Sequence, residues 1–450
     1  RNINETIMTT ETDMTVTPGA ENSLFAGFSS QLKDNLVNNI LPYWMNSMVD
    51  PCGGFYGRRD GENHLDADAP KGAILNARIL WTFASAYLHL HTPEYLEMAT
   101  RAKDYIMQHF IDPEHGGAYW SVNADGTPLD TKKQFYAIAF IIYGLAEYYR
   151  ATGDEESLRT ALDLFHCIEV YSRDREKDGY IEAMTRDWEP IEDMRLSEHD
   201  ANSSKTMNTH LHIIEGYTNL LRALKEKKNR TAGNPAPELE EQIMKVDEAT
   251  RYLLRIFLDR IENPVSHHLT LFFDDDWNKL NDAESYGHDI EASWLLLETA
   301  QVIDDPQLTA ETLDHTYHIA RAALQGRCWD GSMVYERHPN GHYDNDKHWW
   351  VQAEDVIGQL YLACFHADAA AGESDGTSFR ERELANAYQS WRYIAQHLID
   401  PAGEWYWSVR ADGSINLADD KAGFWKCPYH NSRMCLESLH ILALMDAGNA

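Results

Sequence analysis

The segment Asp112-Pro-Glu-His-Gly-Gly-Ala-Tyr-Trp-Ser-Val-Asn-Ala-Asp-Gly126 packs two turns around a short aromatic run. Pro and Gly break the preceding helix, and an aromatic run between two turns is the pattern of a small hairpin. Beyond it, Phe135 to Tyr149 is apolar nearly all round. A helix without a polar face is buried on every side. A break at Ala151-Thr-Gly153 then leads into Glu155 to Val170, which is apolar on one face only. The unit is therefore turn, hairpin, buried helix, loop, amphipathic helix.

The same unit recurs about every sixty residues in both directions. Its turns are Asp50-Pro-Cys-Gly-Gly-Phe-Tyr56, Asp178-Gly-Tyr180, Asn263-Pro-Val-Ser-His-His268, Asp330-Gly-Ser332 and Asp400-Pro-Ala-Gly-Glu-Trp-Tyr-Trp407. Further apolar helices are expected at Ile74 to Leu90, Leu211 to Leu224, Ile290 to Ile303 and Val351 to Phe365, and a further amphipathic one at Phe379 to Leu398. The interval after Gly179 is longer, and the charged, Pro/Gly-containing stretch Lys225–Glu240 reads as an inserted loop. An inner ring of buried helices inside an outer ring of amphipathic ones satisfies six repeats. The fold class is all-α: an (α/α)6 barrel of about twelve helices with short β-hairpin loops on one rim. A superhelical solenoid is the competing architecture. Residues 1–22 are polar, Thr-rich and without periodicity, and read as a disordered tail with Met8 and Met14 as candidate starts. Residues 23–450 form a single catalytic barrel.

A net charge of −33 and a pI near 4.9 oppose binding to nucleic acid or an anionic membrane. Six scattered cysteines without a CxxC pair fit a reduced, cytoplasmic protein. No basic-then-apolar leader and no membrane-length apolar run is evident. The expected state is a monomer or weak homo-oligomer.

Each hairpin feeds the start of an inner helix, so unusual polar residues there share one rim. They are Arg78 in Leu75-Asn-Ala-Arg-Ile-Leu-Trp81, Tyr136 in Gln134-Phe-Tyr136, and Asn208 and His212 in Met207-Asn-Thr-His-Leu-His212. His288 and Glu291 follow in Tyr286-Gly-His-Asp-Ile-Glu291, then Trp349, Trp350 and Glu354 in Lys347-His-Trp-Trp-Val-Gln-Ala-Glu354. Trp425, His430 and Arg433 close the set in Phe424-Trp-Lys-Cys-Pro-Tyr-His-Asn-Ser-Arg433. Charged groups on apolar helices are costly unless paired or functional. Six such clusters at one position of six repeats converge on a pocket.

No metal is expected in that pocket. His210 and His212 are two apart and point to different faces of a helix. No HExxH or glycine-rich nucleotide signature exists, and His267-His268 reads as a loop packing pair. Neutral histidine is suited to proton transfer near pH 7. The dipole at a helix start disfavours imidazolium at His288, leaving it available as a base. Glu291 could orient its ring, Arg78 and His212 could polarise a carbonyl or hold an enolate oxygen, and the tryptophans could pack on sugar rings. This suits proton abstraction next to a sugar carbonyl. Hydrolysis stays open because Asp200, Glu291 and Glu354 could supply a carboxylate pair, as does a non-catalytic carbohydrate-binding role.

At these residues the chain resembles the N-acylglucosamine 2-epimerase superfamily, and within it the branch acting on disaccharides. The resemblance runs from about Gln31 to Leu444. It is carried by Gly72 to Trp81, Met207 to His212, Gly287-His-Asp-Ile-Glu-Ala-Ser-Trp294, His348-Trp-Trp350 with Gln352-Ala-Glu354, and Phe424-Trp-Lys426 with Pro428-Tyr-His-Asn431. It implies a cofactor-free barrel that epimerises C2 of the reducing-end glucose of β-1,4-linked disaccharides, turning cellobiose into glucosyl-mannose and lactose into epilactose. It further implies that His288 and His430 act on the C2 proton from opposite sides, with His430 aiding ring opening. His212, Arg78, Asn208 and Tyr136 would bind the open-chain oxygens. Glu291, Asp200 and Glu354 would orient this set, and the tryptophans would hold the two rings. Cys427 departs from the family, which commonly has glycine there. An aldose–ketose isomerase or a monosaccharide or N-acylglucosamine epimerase on the same fold are the near alternatives.

Overall fold

The computed structural model describes residues 18–232, 234–368 and 376–448. Helix α1 (Pro18–Asn35) runs through a π-helical turn at Leu36–Ile40 into α2 (Leu41–Ser47), and together they form one outer rod. Then inner and outer helices alternate: α3 (Ala73–Leu90), α4 (Pro93–Tyr105), α5 (Phe135–Thr152), α6 (Glu155–Cys167), α7 (Met207–Arg230), α8 (Pro237–Ile256), α9 (Tyr286–Ile303), α10 (Pro306–Ala323), α11 (Trp349–Phe365), α12 (Gly376–His397) and α13 (Tyr429–Asp446).

Every residue of α5 from Phe135 to Tyr149 is buried, as an inner-ring helix requires. Outer helix α6 buries only Ser157, Leu158, Ala161, Leu164 and Phe165, one stripe at helical spacing. Successive inner helices pack on one another, and α13 returns to α3. This closure excludes the solenoid, whose ends would stay apart. Small residues allow the close approach: a Cβ at Gly144 would lie 2.9 Å from the Ala77 carbonyl oxygen, and one at Gly216 would lie 2.7 Å from that of Ala139.

The hairpins form a second ring on the rim. The two residues before an inner helix pair with the hairpin of the next repeat. Lys71–Gly72 meets Ser121–Val122, Lys133–Gln134 meets Ala183–Met184, and Lys205–Thr206 meets Phe272–Phe273. Glu284–Ser285 meets Glu336–Arg337, and Lys347–His348 meets Ser408–Val409. Ala422 bridges back to Arg59 and completes the circle. Buried lysines pin these joints to the turn aspartates: Lys71 to Asp50 at 2.7 Å, Lys133 to Asp112 at 3.0 Å, Lys205 to Asp174 at 2.9 Å, and Lys421 to Asp400. In the fifth repeat Cys328 replaces the aspartate, 3.3 Å from Lys347 Nζ.

Two boundaries differ from expectation. The expected tail at 1–22 lies outside the described residues up to 17, and the backbone is already helical from Pro18. The expected insertion at Lys225–Glu240 is mostly helix. Residues Lys225 to Arg230 extend α7, and α8 resumes at Pro237. Lys, Glu and Arg are good helix formers and need no buried face when they project past the core. The six cysteines are unpaired. Among the described residues no helix is long and apolar enough to cross a membrane.

Candidate active site

Helix α9 starts one turn earlier than its apolar stretch suggested. Ser285 is its N-cap: the hydroxyl accepts from the His288 backbone N–H at 3.4 Å and meets His288 Nδ1 at 2.7 Å. His288 therefore sits inside the first turn rather than before the helix, its ring 4.7 Å from that of Trp350. His430, in the first turn of α13, has its ring 5.5 Å from that of the same Trp350. Burial, with the other histidines nearby, pushes His288 down to about 3. Burial likewise lowers His430 to about 3, although Glu354 opposes the shift. Both are neutral bases at physiological pH.

Beneath them is a charged hub around Arg433, which is fully buried. Its guanidinium bonds Glu215 at 2.5 Å, Glu354 at 2.7 Å and Glu291 at 3.1 Å, and stacks on Trp294 and Tyr429. Glu354 also accepts from Trp294 Nε1 and holds His430 Nδ1, both at 2.8 Å. Burial resists ionisation of Glu354, but Arg433 and His430 hold it at about 2. Burial and the neighbouring Glu354 raise Glu291 well above the carboxylate range, so one carboxyl of the pair stays neutral.

Arg78 is different. It is buried, donates to the Trp425 carbonyl at 2.9 Å and the Tyr136 hydroxyl at 3.1 Å, and lies over the rings of Phe140 and Tyr429. Its Nη1 is 3.6 Å from Cys427 Sγ. Among the described residues no carboxylate approaches it within 4.0 Å, and its Nε has no partner. The buried Oδ1 of Asn208, at the start of α7, also lacks one. A buried cation without a counter-charge suits an anionic ligand, and an unused buried acceptor suits a hydroxyl donor.

Most residues singled out from the sequence meet here, with three departures. Arg433, grouped from the sequence with the residues converging on the pocket as a candidate for binding substrate, commits its guanidinium to Glu215, Glu291 and Glu354. Trp349 is 3% exposed and packs on Trp407, with Lys426 over its ring. Asp200 is not with Glu291 and Glu354. It lies on the loop before α7 and acts electrostatically on Tyr335 and Glu336 at the mouth. There Tyr335 stacks on His348 at 3.9 Å. His210 pins a turn, with Nε2 accepting from the Tyr180 backbone N–H at 2.9 Å. His268 packs against Asp289 at 2.7 Å.

Sequence reasoning missed Ser285, Trp294, Tyr429 and Glu215. Glu215 was legible as a charge in the apolar run Leu211 to Leu224. Glu291, Glu354 and His430 also have the donor set for a cation, but Arg433 already engages both carboxylates. Asp344, Asp346 and His348 on the rim form a second such group. A separate groove of about 1040 Å³ opens beside α4 and the turn at Cys52–Gly54, and none of the site residues line it.

The N-acylglucosamine 2-epimerase (GlcNAc 2-epimerase) family model matches residues 54–224 and 236–433. The chain belongs to this family. A family relative, cellobiose 2-epimerase of Bacteroides fragilis, is 52% identical over 91% of this chain and 98% of its own length. Among solved structures, cellobiose 2-epimerase from Spirochaeta thermophila aligns with a TM-score of 0.82 and 37% identity, covering 95% of this chain and 100% of that one. The enzyme of that name from Bacillus thermoamylovorans aligns with a TM-score of 0.80 and 36% identity, covering 92% and 99%.

Proposed function

We propose that the protein is a cellobiose 2-epimerase. It opens the reducing-end glucose of a β-1,4-linked disaccharide and inverts C2 through an enediolate. The observation that carries this reading is the pair of neutral histidines, His288 and His430, both in ring contact with Trp350 in a site that also holds an uncompensated Arg78. In the open chain the C1 carbonyl acidifies the C2 hydrogen. One histidine takes that proton as the C–H bond breaks, and negative charge moves onto the C1 oxygen. Arg78, Tyr136 and Asn208 supply the polar contacts for that oxygen and its neighbour. The second histidine, protonated by the C1 hydroxyl during ring opening while the ring oxygen takes a solvent proton, delivers that proton to the opposite face of C2. The first gives its proton back to the C1 oxygen as the ring recloses. Glu291 and Glu354 keep the His430 ring in place, while Trp350 and Trp425 give flat surfaces for the sugars. Asp200, Tyr335 and His348 at the mouth are placed for the second ring. No step requires a redox or metal cofactor.

Hydrolysis is disfavoured by the carboxylate geometry. Glycosidase carboxyls flank a scissile bond about 5–9.5 Å apart. Glu291 and Glu354 share one guanidinium nitrogen, and the oxygen atoms they offer lie within 4.8 Å of each other and of His430.

A proton NMR time course with cellobiose in heavy water tests the reading. The expected main product is glucosyl-mannose carrying deuterium at C2, with lactose giving epilactose in the same way. Free glucose would mean hydrolysis, and a dominant ketose would mean an aldose–ketose isomerase. Either result overturns the proposal.

A further inference from the structure

We propose that Glu215 is a positioning residue for catalysis: its carboxylate fixes His212 in the tautomer that leaves Nε2 unprotonated on the side of Glu291. The proposal takes its substrate, a sugar hydroxyl, from the function above, and gives His212 an acceptor's part in place of the oxyanion donor expected from the sequence.

Glu215 follows His212 by three residues on α7, so the two share a helix face. Its oxygens divide their work. Oε1 meets His212 Nδ1 at 3.3 Å, while Oε2 accepts from Arg433 Nη1 at 2.5 Å and from the Tyr429 hydroxyl. Burial opposes ionisation, but Arg433 and His212 hold this carboxyl at about 2. An ionised carboxylate only accepts, so the imidazole hydrogen on this side belongs on Nδ1. Nε2 is then a lone pair, 3.9 Å from Glu291 Oε1. The ring is wedged against Tyr136 at 4.7 Å and Phe140 at 4.6 Å, which resists its turning over.

A carboxylate behind Nδ1 and an open Nε2 form a general-base pair. Nε2 takes the proton of a sugar hydroxyl: the N–H bond forms as the O–H bond breaks. Glu215 stabilises the imidazolium until that proton returns to an oxygen of the sugar. Neutralising Arg433 does not by itself require Glu215, because Glu354 and Glu291 already engage the other guanidinium nitrogen. With the opposite tautomer, His212 would present a donor where an acceptor is needed.

The test combines a double-mutant cycle with a spectroscopic readout. Glu215→Gln keeps the shape and removes the charge. Its kcat is expected to fall about 10–100-fold, the usual size of such a supporting contact, with KM changed by less than about threefold. In a His212→Ala background the same substitution should lower the residual kcat by less than about twofold, since the residues act as one unit. Full, independent losses in both backgrounds would overturn the proposal. Where a variant does not fold, ¹⁵N NMR of histidine-labelled wild-type enzyme decides. The His212 signals, assigned by histidine substitution in variants that do fold, should show Nδ1 protonated and Nε2 bare at pH 7. The reverse tautomer or a stable imidazolium overturns the proposal. This readout needs no substrate, so failure to turn over cellobiose would sink the proposed function and leave the tautomer measurable.

Discussion

Arg78 carries a positive charge in a buried place where nothing on the described protein neutralises it. Such a group weakens the folded state and strengthens binding to a developing anion. Arg78→Met should therefore lower kcat by about 10²–10³-fold, the scale of a lost oxyanion donor, while the melting temperature stays level or rises. Rate assays with thermal melts check both halves. A variant that melts lower and keeps its rate would make Arg78 structural. Arg78→Lys should not rescue the rate, because a single nitrogen lacks the rigid fork by which Nη1 reaches the Trp425 carbonyl and Nη2 the Tyr136 hydroxyl. His288→Ala and His430→Ala should each cost about 10²–10⁴-fold, typical of general acid–base groups. A folded variant that keeps half the wild-type rate would remove that residue from the proton path. These side chains were legible in the sequence because each interrupts an apolar helix start. The direction of Arg433 was not, because Glu215 reaches it from 218 residues away in the chain.

Caps set the position of the active histidine within its helix. The Ser285 hydroxyl serves both the His288 backbone N–H and the His288 ring. Ser285→Ala should lose about 1 kcal/mol of stability, as N-caps do, and should also lower kcat because the ring loses its tether. Asp154 caps outer helix α6 through Ser157 and is the control. Asp154→Ala should melt lower by a similar amount with kcat unchanged. Equal rates in both variants would separate the cap from catalysis. The inner helices were readable because burial on all sides leaves no polar face. The α7 extension was not, since exposed Lys and Glu carry no period. Nor were the π-helical turns that follow α1, α4, α6 and α8, because one extra backbone residue leaves no compositional trace.

Over the whole molecule, buried neutral histidines make the fold sensitive to acid. Burial lowers His210, His348 and His366 to about 4, and His288 and His430 to about 3. The unfolded chain takes up these protons near pH 6.5 and the folded one does not. At each of these sites the unfolded state therefore binds more protons below that pH, so each histidine's contribution to stability falls as pH drops from about 6.5 toward 4. His268, raised by Asp289 against the effect of burial, works in the opposite direction, as do carboxyls that burial raises: Glu182 to about 8, Glu437 to about 7, Asp355 to about 6, and Glu291. Comparison with His366→Gln isolates one histidine: the urea midpoint of the wild type should fall relative to that of the variant between pH 7 and 5, and a constant difference would contradict the buried-neutral assignment.

The twin circles of inner helices and rim hairpins give the chain no terminal repeat. In a linear array the end units can be trimmed, and melting can travel inward from them. Here the contact between Arg59 and Ala422 makes the first hairpin and the last neighbours. Deleting any one unit would expose two unsatisfied faces instead of shortening the stack. Each repeat depends on both sides, so the molecule gains and loses its structure as one cooperative body. The pocket at the centre, built from all six inner helices, exists only when that body is whole.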